Sequence, residues 1–216
     1  MRPGSPAAPF PQSPTPGSLI WEHSDAMGTP TADDFDWALR EARAGSEAGF
    51  RQLWRQLQPR LLRFLSVYGC EEPDDVASET WLQVVRDLHR FDGGEEDFRG
   101  WLFSIARHRA VDATRARTRL RDRLARVPTA EPDPGDKPVE LEVLEGLSTR
   151  QAVALVAGLS RDQAEAVALR VIAGLDTPAV ARILRKSPGA VRVALHRGLR
   201  TLAADPRIKT LAEVDQ

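Results

Sequence analysis

The sequence is poor in the residues that form cross-links and metal sites. Cys70 is the single cysteine among 216 residues, which excludes an intrachain disulfide and a cysteine-based zinc site. The four histidines are scattered along the chain without the spacing of metal ligands. These absences predict a protein that holds no metal and that works in a reducing, cytoplasmic compartment.

Long apolar runs and catalytic motifs are also missing. No run approaches the roughly 20 apolar residues that span a bilayer, and prolines follow Arg2 where a signal peptide has its apolar core. The sequence has no Gly-rich phosphate loop, no metal-ligand set and no nucleophile motif. It therefore predicts no membrane insertion, no catalytic residues, no cofactor and no small-molecule substrate, so the chain is not expected to be an enzyme.

What the chain does contain is charge of both signs in separate blocks. The formal net charge is −1, but residues 99–126 carry nine arginines against two acids, and residues 182–200 carry six basic residues and no acid. The balancing acids lie in 71–79, 92–97 and 131–145. Local basic zones of this kind attract nucleic acid, although a run of charge is also typical of a solvated helix face.

Composition divides the chain into five segments. Residues 1–32 are rich in proline and small residues, with six prolines in the first 17 positions, and they predict a disordered tail. Prolines, a glycine and a cluster of acids at 127–145 predict a flexible acidic linker. Helical patterning fills 33–126 and 146–204, and no segment alternates as a strand does. The predicted fold is all-α, in two small helical domains, with a short C-terminal tail at 205–216.

Several local signals refine this prediction. The second predicted helix carries Pro59, which either kinks or splits it. The third begins at Pro73, with acids in its first turn. In the second domain, Ser-Gln pairs at 148–151 and 160–163 fit the capping box. The apolar stripe of the third helix is predicted to contain Val76, Ala77, Trp81, Val84, Val85 and Leu88.

The strongest functional pattern lies at 176–202. A short helix begins at Asp176 and Pro178, and after a tight turn a longer, arginine-rich helix begins at Ser187 and Pro188. This is the arrangement of a helix-turn-helix, whose second helix enters the major groove of DNA. The alternative is a helical hairpin with a basic solvated face. The predicted DNA-binding residues are Lys186 in the turn, Ser187, Gly189, Ala190 and Arg192 at the end that contacts bases, and His196, Arg197 and Arg200 against phosphates.

A second candidate for nucleic-acid binding lies at 98–126. Trp101 and Phe103 precede a run of arginines, and aromatic side chains beside positive charge suit stacking on single-stranded or melting DNA. Taken alone, either aromatic residue also fits a core position.

Two longer motifs resemble a known family. Conserved region 2 of the extracytoplasmic-function (ECF) sigma factors of bacterial RNA polymerase is similar to residues 72–112, EPDDVASETWLQVVRDLHRFDGGEEDFRGWLFSIARHRAVD. Their region 4 is similar to residues 159–202, LSRDQAEAVALRVIAGLDTPAVARILRKSPGAVRVALHRGLRTL. The resemblance implies a sigma factor that binds core RNA polymerase and directs promoter-specific initiation. Such a factor recognises the −35 and −10 promoter elements and helps to melt the DNA.

The resemblance also implies roles for individual residues. The implied contacts with the −10 element are Phe98, Arg99, Trp101, Arg107, His108, Asp112 and Arg115. The implied contacts with the β′ clamp helices of the polymerase are Asp75, Glu79 and Trp81. The second domain is expected to bind the −35 element and the polymerase β flap, and an anti-sigma factor is implied as a further partner.

The residues leave two other functions open. A free-standing helix-turn-helix regulator that binds operator DNA as a dimer explains 160–202, but it leaves the acidic third helix and the linker without a role. A helical protein that binds only protein partners would use its basic helices as solvated faces. Co-purification with core polymerase distinguishes a sigma factor from the first alternative, and failure to bind DNA even with polymerase favours the second.

Overall fold

The structure, a computed structural model, describes residues 32–124 and 146–207. Every regular element in these two ranges is helical, with no strand among them, which confirms the all-α prediction. The predicted linker at 127–145 lies outside the described residues, as do almost all of the N-terminal tail and most of the C-terminal tail.

Four α-helices lie in each of the two ranges. The first range contains α1 (Ala32–Arg43), α2 (Glu47–Val67), α3 (Pro73–Asp87), a 3₁₀ turn (Leu88–Arg90) and α4 (Glu95–Leu124). The second contains α5 (Gly146–Ala157), α6 (Arg161–Val167), a π-helical turn (Ala168–Ile172), α7 (Thr177–Leu184) and α8 (Pro188–Ala204). Pro59 lies inside α2, and the helix continues through it without a break.

The helix ends agree with the sequence signals except at the two capping boxes. Ser46 caps α2 by accepting a hydrogen bond from the Gly49 amide, and Pro73 occupies the first turn of α3 as predicted. Ser148 does not begin a helix, because α5 already starts at Gly146. Ser160 is the N-cap of α6, but its carbonyl accepts from the Ala164 amide while its hydroxyl makes no capping bond.

Helix α2 lies at the centre of the fold. Its apolar residues recur at helical spacing, and five of them are at most 2 % exposed: Leu53, Leu57, Leu61, Phe64 and Leu65. The helix packs against α1, α3 and α4, and in the second range against α5 and the π-helical turn. One buried apolar cluster therefore contains side chains from both ranges, and the two predicted domains are in direct contact in this structure.

Helices α1 and α2 approach each other closely at Gly49. A Cβ at this position would lie 2.5 Å from the Cβ of Glu41 and 2.8 Å from the carbonyl oxygen of Ala38, both in α1. Only hydrogen fits in that space, so Gly49 permits the backbones of α1 and α2 to meet.

We expect Gly49→Ala to lower the free energy of unfolding by about 1–3 kcal/mol, because the added methyl group forces α1 away from α2. Urea denaturation followed by circular dichroism measures the change. The matched control is Gly100→Ala in α4, where an added Cβ meets nothing within 4 Å. The control should be neutral or raise stability by about 0.5–1 kcal/mol through helix propensity. Equal stabilities for the two variants would contradict the close approach at Gly49.

Candidate nucleic-acid interface

The helix-turn-helix predicted at 176–202 is present, and backbone geometry fixes its turn. Asp176 caps α7 by accepting from the Ala179 amide at 2.7 Å, and Ser187 caps α8 by accepting from the Ala190 amide at 3.2 Å. Between the two helices, Arg185 adopts the left-handed conformation at φ 54°. The Lys186 amide then returns to the Ala181 carbonyl at 3.0 Å, which closes α7. The turn from α7 into α8 is therefore only three residues long.

One side of α8 is held against α6. Val191 is 1 % exposed, and a Cβ on the buried Gly198 would meet the Cγ2 of Val167 at 3.0 Å. These two residues are seven positions apart, so they mark one stripe of the helix. The opposite side is exposed and contains six of the eight predicted −35 contacts: Gly189, Ala190, Arg192, His196, Arg197 and Arg200. No acid occurs anywhere in α8.

The other two predicted −35 contacts are engaged within the protein. The hydroxyl of Ser187 is the cap of α8. The ammonium of Lys186 lies 2.6 Å from the carboxylate of Asp162 in α6, and its side chain is 31 % exposed. Both residues therefore position the start of α8, and in this arrangement their polar groups already have partners.

In α4, burial separates the predicted −10 contacts into two groups. Phe98 is completely buried and packs edge-on against Phe35 and Phe91, with ring centroids 6.0 Å and 5.5 Å away. Its ring has no exposed surface in this structure, and the predicted contact of Phe98 with the −10 element stays a prediction. Phe103, which lies two residues after Trp101 in the same motif, is also fully buried.

Trp101 retains part of its surface because it sits at the edge of this aromatic group. Its ring stacks on Phe91 at a centroid distance of 5.1 Å and an interplanar angle of 19°. His108 is exposed on the same helix. Trp101 and His108 line a cleft of about 370 Å³. The other residues that line it are Asp97, Gly100 and Ser104 of α4 and Ala179, Arg182, Ile183 and Arg185 at the helix-turn-helix.

The charged −10 candidates differ in their partners. Arg99 is paired with Glu95 at 3.4 Å and is only 17 % exposed. Asp112 and Arg115 are exposed and lie 3.9 Å apart, a weak surface pair. Of this group only His108, Asp112 and Arg115 combine exposure with the absence of a close partner among the described residues.

Arg107 forms the ion pair that joins the two ranges. Its guanidinium lies 3.0 Å from the carboxylate of Glu165 in α6, whose side chain is 7 % exposed. Arg161 binds the other carboxylate oxygen at 3.1 Å. Burial by itself lowers the pKa of Arg107, but the hydrogen bonds and charges of Glu165 and Tyr68 together more than offset that effect, so the pKa is raised and Arg107 stays protonated. Beside this pair, burial raises the pKa of Tyr68, and the charge of Glu165 raises it further.

The exposed face of α3 differs from the one predicted. Asp75 and Glu79 are exposed on one side of the helix, but Trp81 is 5 % exposed and donates a hydrogen bond to Gln58 at 2.7 Å. Burial leaves Trp81 little exposed surface in this structure, and its predicted contact with the polymerase stays a prediction. Val85, which the sequence pattern placed in the buried stripe, is 54 % exposed, and Leu82 is 65 % exposed. Both side chains lie on the side of α3 that carries the acids.

Leu82 could not be predicted as part of this exposed face, because helical periodicity identifies the buried stripe and gives no role to an apolar residue outside it. Glu79 has a structural partner as well, since its carboxylate accepts from Arg109 of α4 at 2.6 Å.

Among residues 32–124 and 146–207, no group of histidine, cysteine, aspartate and glutamate side chains is arranged to hold a metal ion. Within the same ranges, no helix is long and apolar enough to cross a membrane.

Comparison with known proteins identifies two conserved regions. Residues 53–120 match the model of sigma-70 region 2, and residues 149–202 match that of sigma-70 region 4. The ECF RNA polymerase sigma factor BldN of Streptomyces coelicolor is 31 % identical over 81 % of this chain and 68 % of its own length. The ECF RNA polymerase sigma factor SigD of Mycobacterium tuberculosis is 32 % identical over 81 % of this chain and 84 % of its own length.

A solved structure shows the same fold. The sigma factor RpoE of Bartonella quintana, in complex with the anti-sigma factor NepR, superimposes with a TM-score of 0.55 at 21 % identity, covering 77 % of this chain and 98 % of that one. Because two region models match in order and the curated relatives share about a third of their residues across most of both chains, this chain belongs to the ECF family of RNA polymerase sigma factors.

Proposed function

We propose that the chain binds core RNA polymerase and directs it to promoters, with α8 in the major groove of the −35 element and α4 against the −10 element. Family membership makes it a transcription initiation factor and not an enzyme. The remaining question is which surfaces carry out recognition and polymerase binding, and the described residues support a specific assignment.

The observation that carries the proposal is the exposed side of α8. It presents Arg192, Arg197 and Arg200 to solvent, without an acid in the helix and without an ion-pair partner among the described residues. A helix bearing unpaired cations, begun by a rigid three-residue turn, suits insertion between two phosphate backbones. Acids three or four residues from a cation stabilise a solvated helix face by pairing with it, and α8 contains none.

For the −10 element, the structure supports a smaller set of residues than the sequence predicted. Trp101, His108, Asp112 and Arg115 retain exposed surface, and Trp101 offers an aromatic edge on which an unstacked base can pack. Arg107 is bound to Glu165, so it reaches a phosphate only when α6 moves away from α4. We therefore propose that Arg107 joins the contacts with the −10 element when the contact between α4 and the second range opens.

For the polymerase, we propose that the outer face of α3 is the binding surface. Asp75 and Glu79 supply negative charge, and Leu82 and Val85 supply exposed apolar area one to three turns further along. An apolar centre beside a charged edge is the composition of a protein interface. We also propose an anti-sigma factor as a partner, since the structurally similar RpoE was solved with one.

The first prediction concerns α8. Arg192→Ala and Arg197→Ala should each weaken promoter binding, by about 1–3 kcal/mol for a bidentate base contact and by less for a single phosphate contact. Binding of the reconstituted holoenzyme to promoter DNA is measured over a range of salt concentrations. Loss of a phosphate contact reduces the salt dependence, whereas loss of a base contact changes the preferred −35 sequence.

The control for this measurement is Arg207→Ala, which removes the same charge just beyond α8, where Arg207 is paired with Asp205. It should bind promoter DNA as the wild type does. If Arg192→Ala and Arg197→Ala initiate like this control at every salt concentration, α8 is not the helix that reads the −35 element.

The second prediction concerns α3. Asp75→Lys combined with Leu82→Ala should lower the affinity for core polymerase by about tenfold or more, because charge repulsion replaces attraction and apolar contact area is lost. Glu79 is kept because it holds Arg109. Pull-down with core polymerase and run-off transcription measure the loss, and circular dichroism checks the fold.

The control for α3 is Asp36→Lys in α1. Asp36 is exposed, so the change in charge is the same, but it lies on a different helix from the proposed surface. A folded Asp75→Lys/Leu82→Ala variant that binds polymerase as well as this control would remove α3 from the proposal and favour a free-standing regulator.

The third prediction concerns the ion pair between the ranges. Glu165→Gln should lower the free energy of unfolding by about 1–3 kcal/mol, because Arg107 loses its carboxylate in a largely buried site. The same variant should bind single-stranded −10 DNA more tightly, since Arg107 is released. Asp162→Asn, which breaks the more exposed pair with Lys186, is the control. A variant as stable as wild type, with unchanged DNA affinity, would rule out the competition between Glu165 and DNA.

A further inference from the structure

Val193 stands out on the exposed side of α8 because it is apolar. The positions that lie opposite the buried stripe of Val191 and Gly198 are Gly189, Val193, His196 and Arg200, spaced at four, seven and eleven residues from the first. Val193 is 50 % exposed, and it occupies the middle of this side, with Arg192 and Arg197 on either flank. A branched apolar side chain thus lies between two cations on a helix that contains no acid.

The position of Val193 along α8 matches the part of a recognition helix that reaches base edges. Ser187 caps the helix and Pro188 is its first residue, so Val193 lies about 7.5 Å further along the axis, at 1.5 Å per residue. In a recognition helix that lies in the major groove, residues near the N-terminus contact the base edges. Gly189 and Ala190, one turn before Val193, are the smallest residues of the exposed side and let the backbone approach the DNA closely.

The chemistry around Val193 restricts what it can contact. Its neighbours Arg192 and Arg197 are cations and suit an anionic surface, while its own methyl groups suit an apolar one. The major groove meets both requirements, because phosphates line its edges and the 5-methyl group of thymine is the apolar group on its floor. Valine is also stiff in a helix, where one χ1 rotamer dominates, so its methyl groups lose little freedom on contact.

We propose that Val193 is a specificity-determining residue that contacts the 5-methyl group of a thymine in the −35 element. The inference rests on the proposed function, since it requires α8 to lie in the major groove. Val193 adds a direct reading of one base to the positioning that the arginines provide, and it gives the −35 element a preference for thymine at the position that faces it.

The test uses holoenzyme reconstituted from core polymerase and the full chain, and a promoter selected from a pool randomised over the −35 region. Each thymine of the selected element, on either strand, is replaced singly by uracil, which lacks only the 5-methyl group. At one position wild-type holoenzyme should bind the uracil promoter about fourfold more weakly, the effect of one buried methyl group. For Val193→Ala the ratio between the thymine and uracil promoters should fall to about one.

The matched control is Val171→Ala, which removes the same two methyl groups from a valine that is 60 % exposed in the π-helical turn. It should keep the wild-type ratio of about four. Because each result is a ratio between two promoters for one protein, a small change in polymerase affinity cancels. Circular dichroism of Val193→Ala checks that α8 is intact.

The outcomes separate this inference from the proposed function. If wild-type holoenzyme selects a −35 element but binds its thymine and uracil forms equally at every position, the inference is overturned and the proposed function stands. The same conclusion follows if Val193→Ala keeps the fourfold ratio. If the holoenzyme selects no −35 sequence at all, the proposed function and the inference are overturned together.

Discussion

The structure depends on the burial of α2 by helices from both halves of the chain. A row of leucines and one phenylalanine makes this helix apolar around more of its circumference than a surface helix needs. Helices α1, α3 and α4 cover part of it, and α5 with the π-helical turn covers the rest. The apolar surface of α2 is therefore the reason that region 2 and region 4 meet, and every surface assigned above is oriented by that contact.

Regular helical periodicity made the element types predictable from sequence, and rigid capping made the helix-turn-helix predictable to within a residue. Asp176 and Ser187 each cap a helix where the sequence placed them. Ser160 shows the limit of such signals, because a serine at an N-cap can begin a helix through its carbonyl while its hydroxyl stays out of the capping bond. Pro59 shows another, because a long helix packed on several sides tolerates a proline inside it.

The candidate site was harder to predict because it depends on which side of a helix is covered. Trp81 and Phe98 carry large rings in motifs associated with binding, yet both rings are used by the core, Trp81 with an edge-to-face contact to Phe50 at 5.5 Å. Val85 and Leu82 lie on a side of α3 that the other described helices leave exposed, which depends on the three-dimensional arrangement and has no local signature in the sequence. Arg107 and Glu165 are 58 residues apart, and no spacing rule connects them.

The pairing of Arg107 with Glu165 has a consequence for how the isolated chain responds to ionic strength. A cation that binds a DNA phosphate from free solution releases a condensed counterion, and each such contact steepens the dependence of affinity on salt. In the proposed −10 contact, Arg107 exchanges the carboxylate of Glu165 for a phosphate, and a single exposed carboxylate does not condense a counterion as the phosphate array of DNA does. The contact therefore keeps its share of the salt dependence, while the free energy that it adds to binding is reduced by the loss of the ion pair with Glu165.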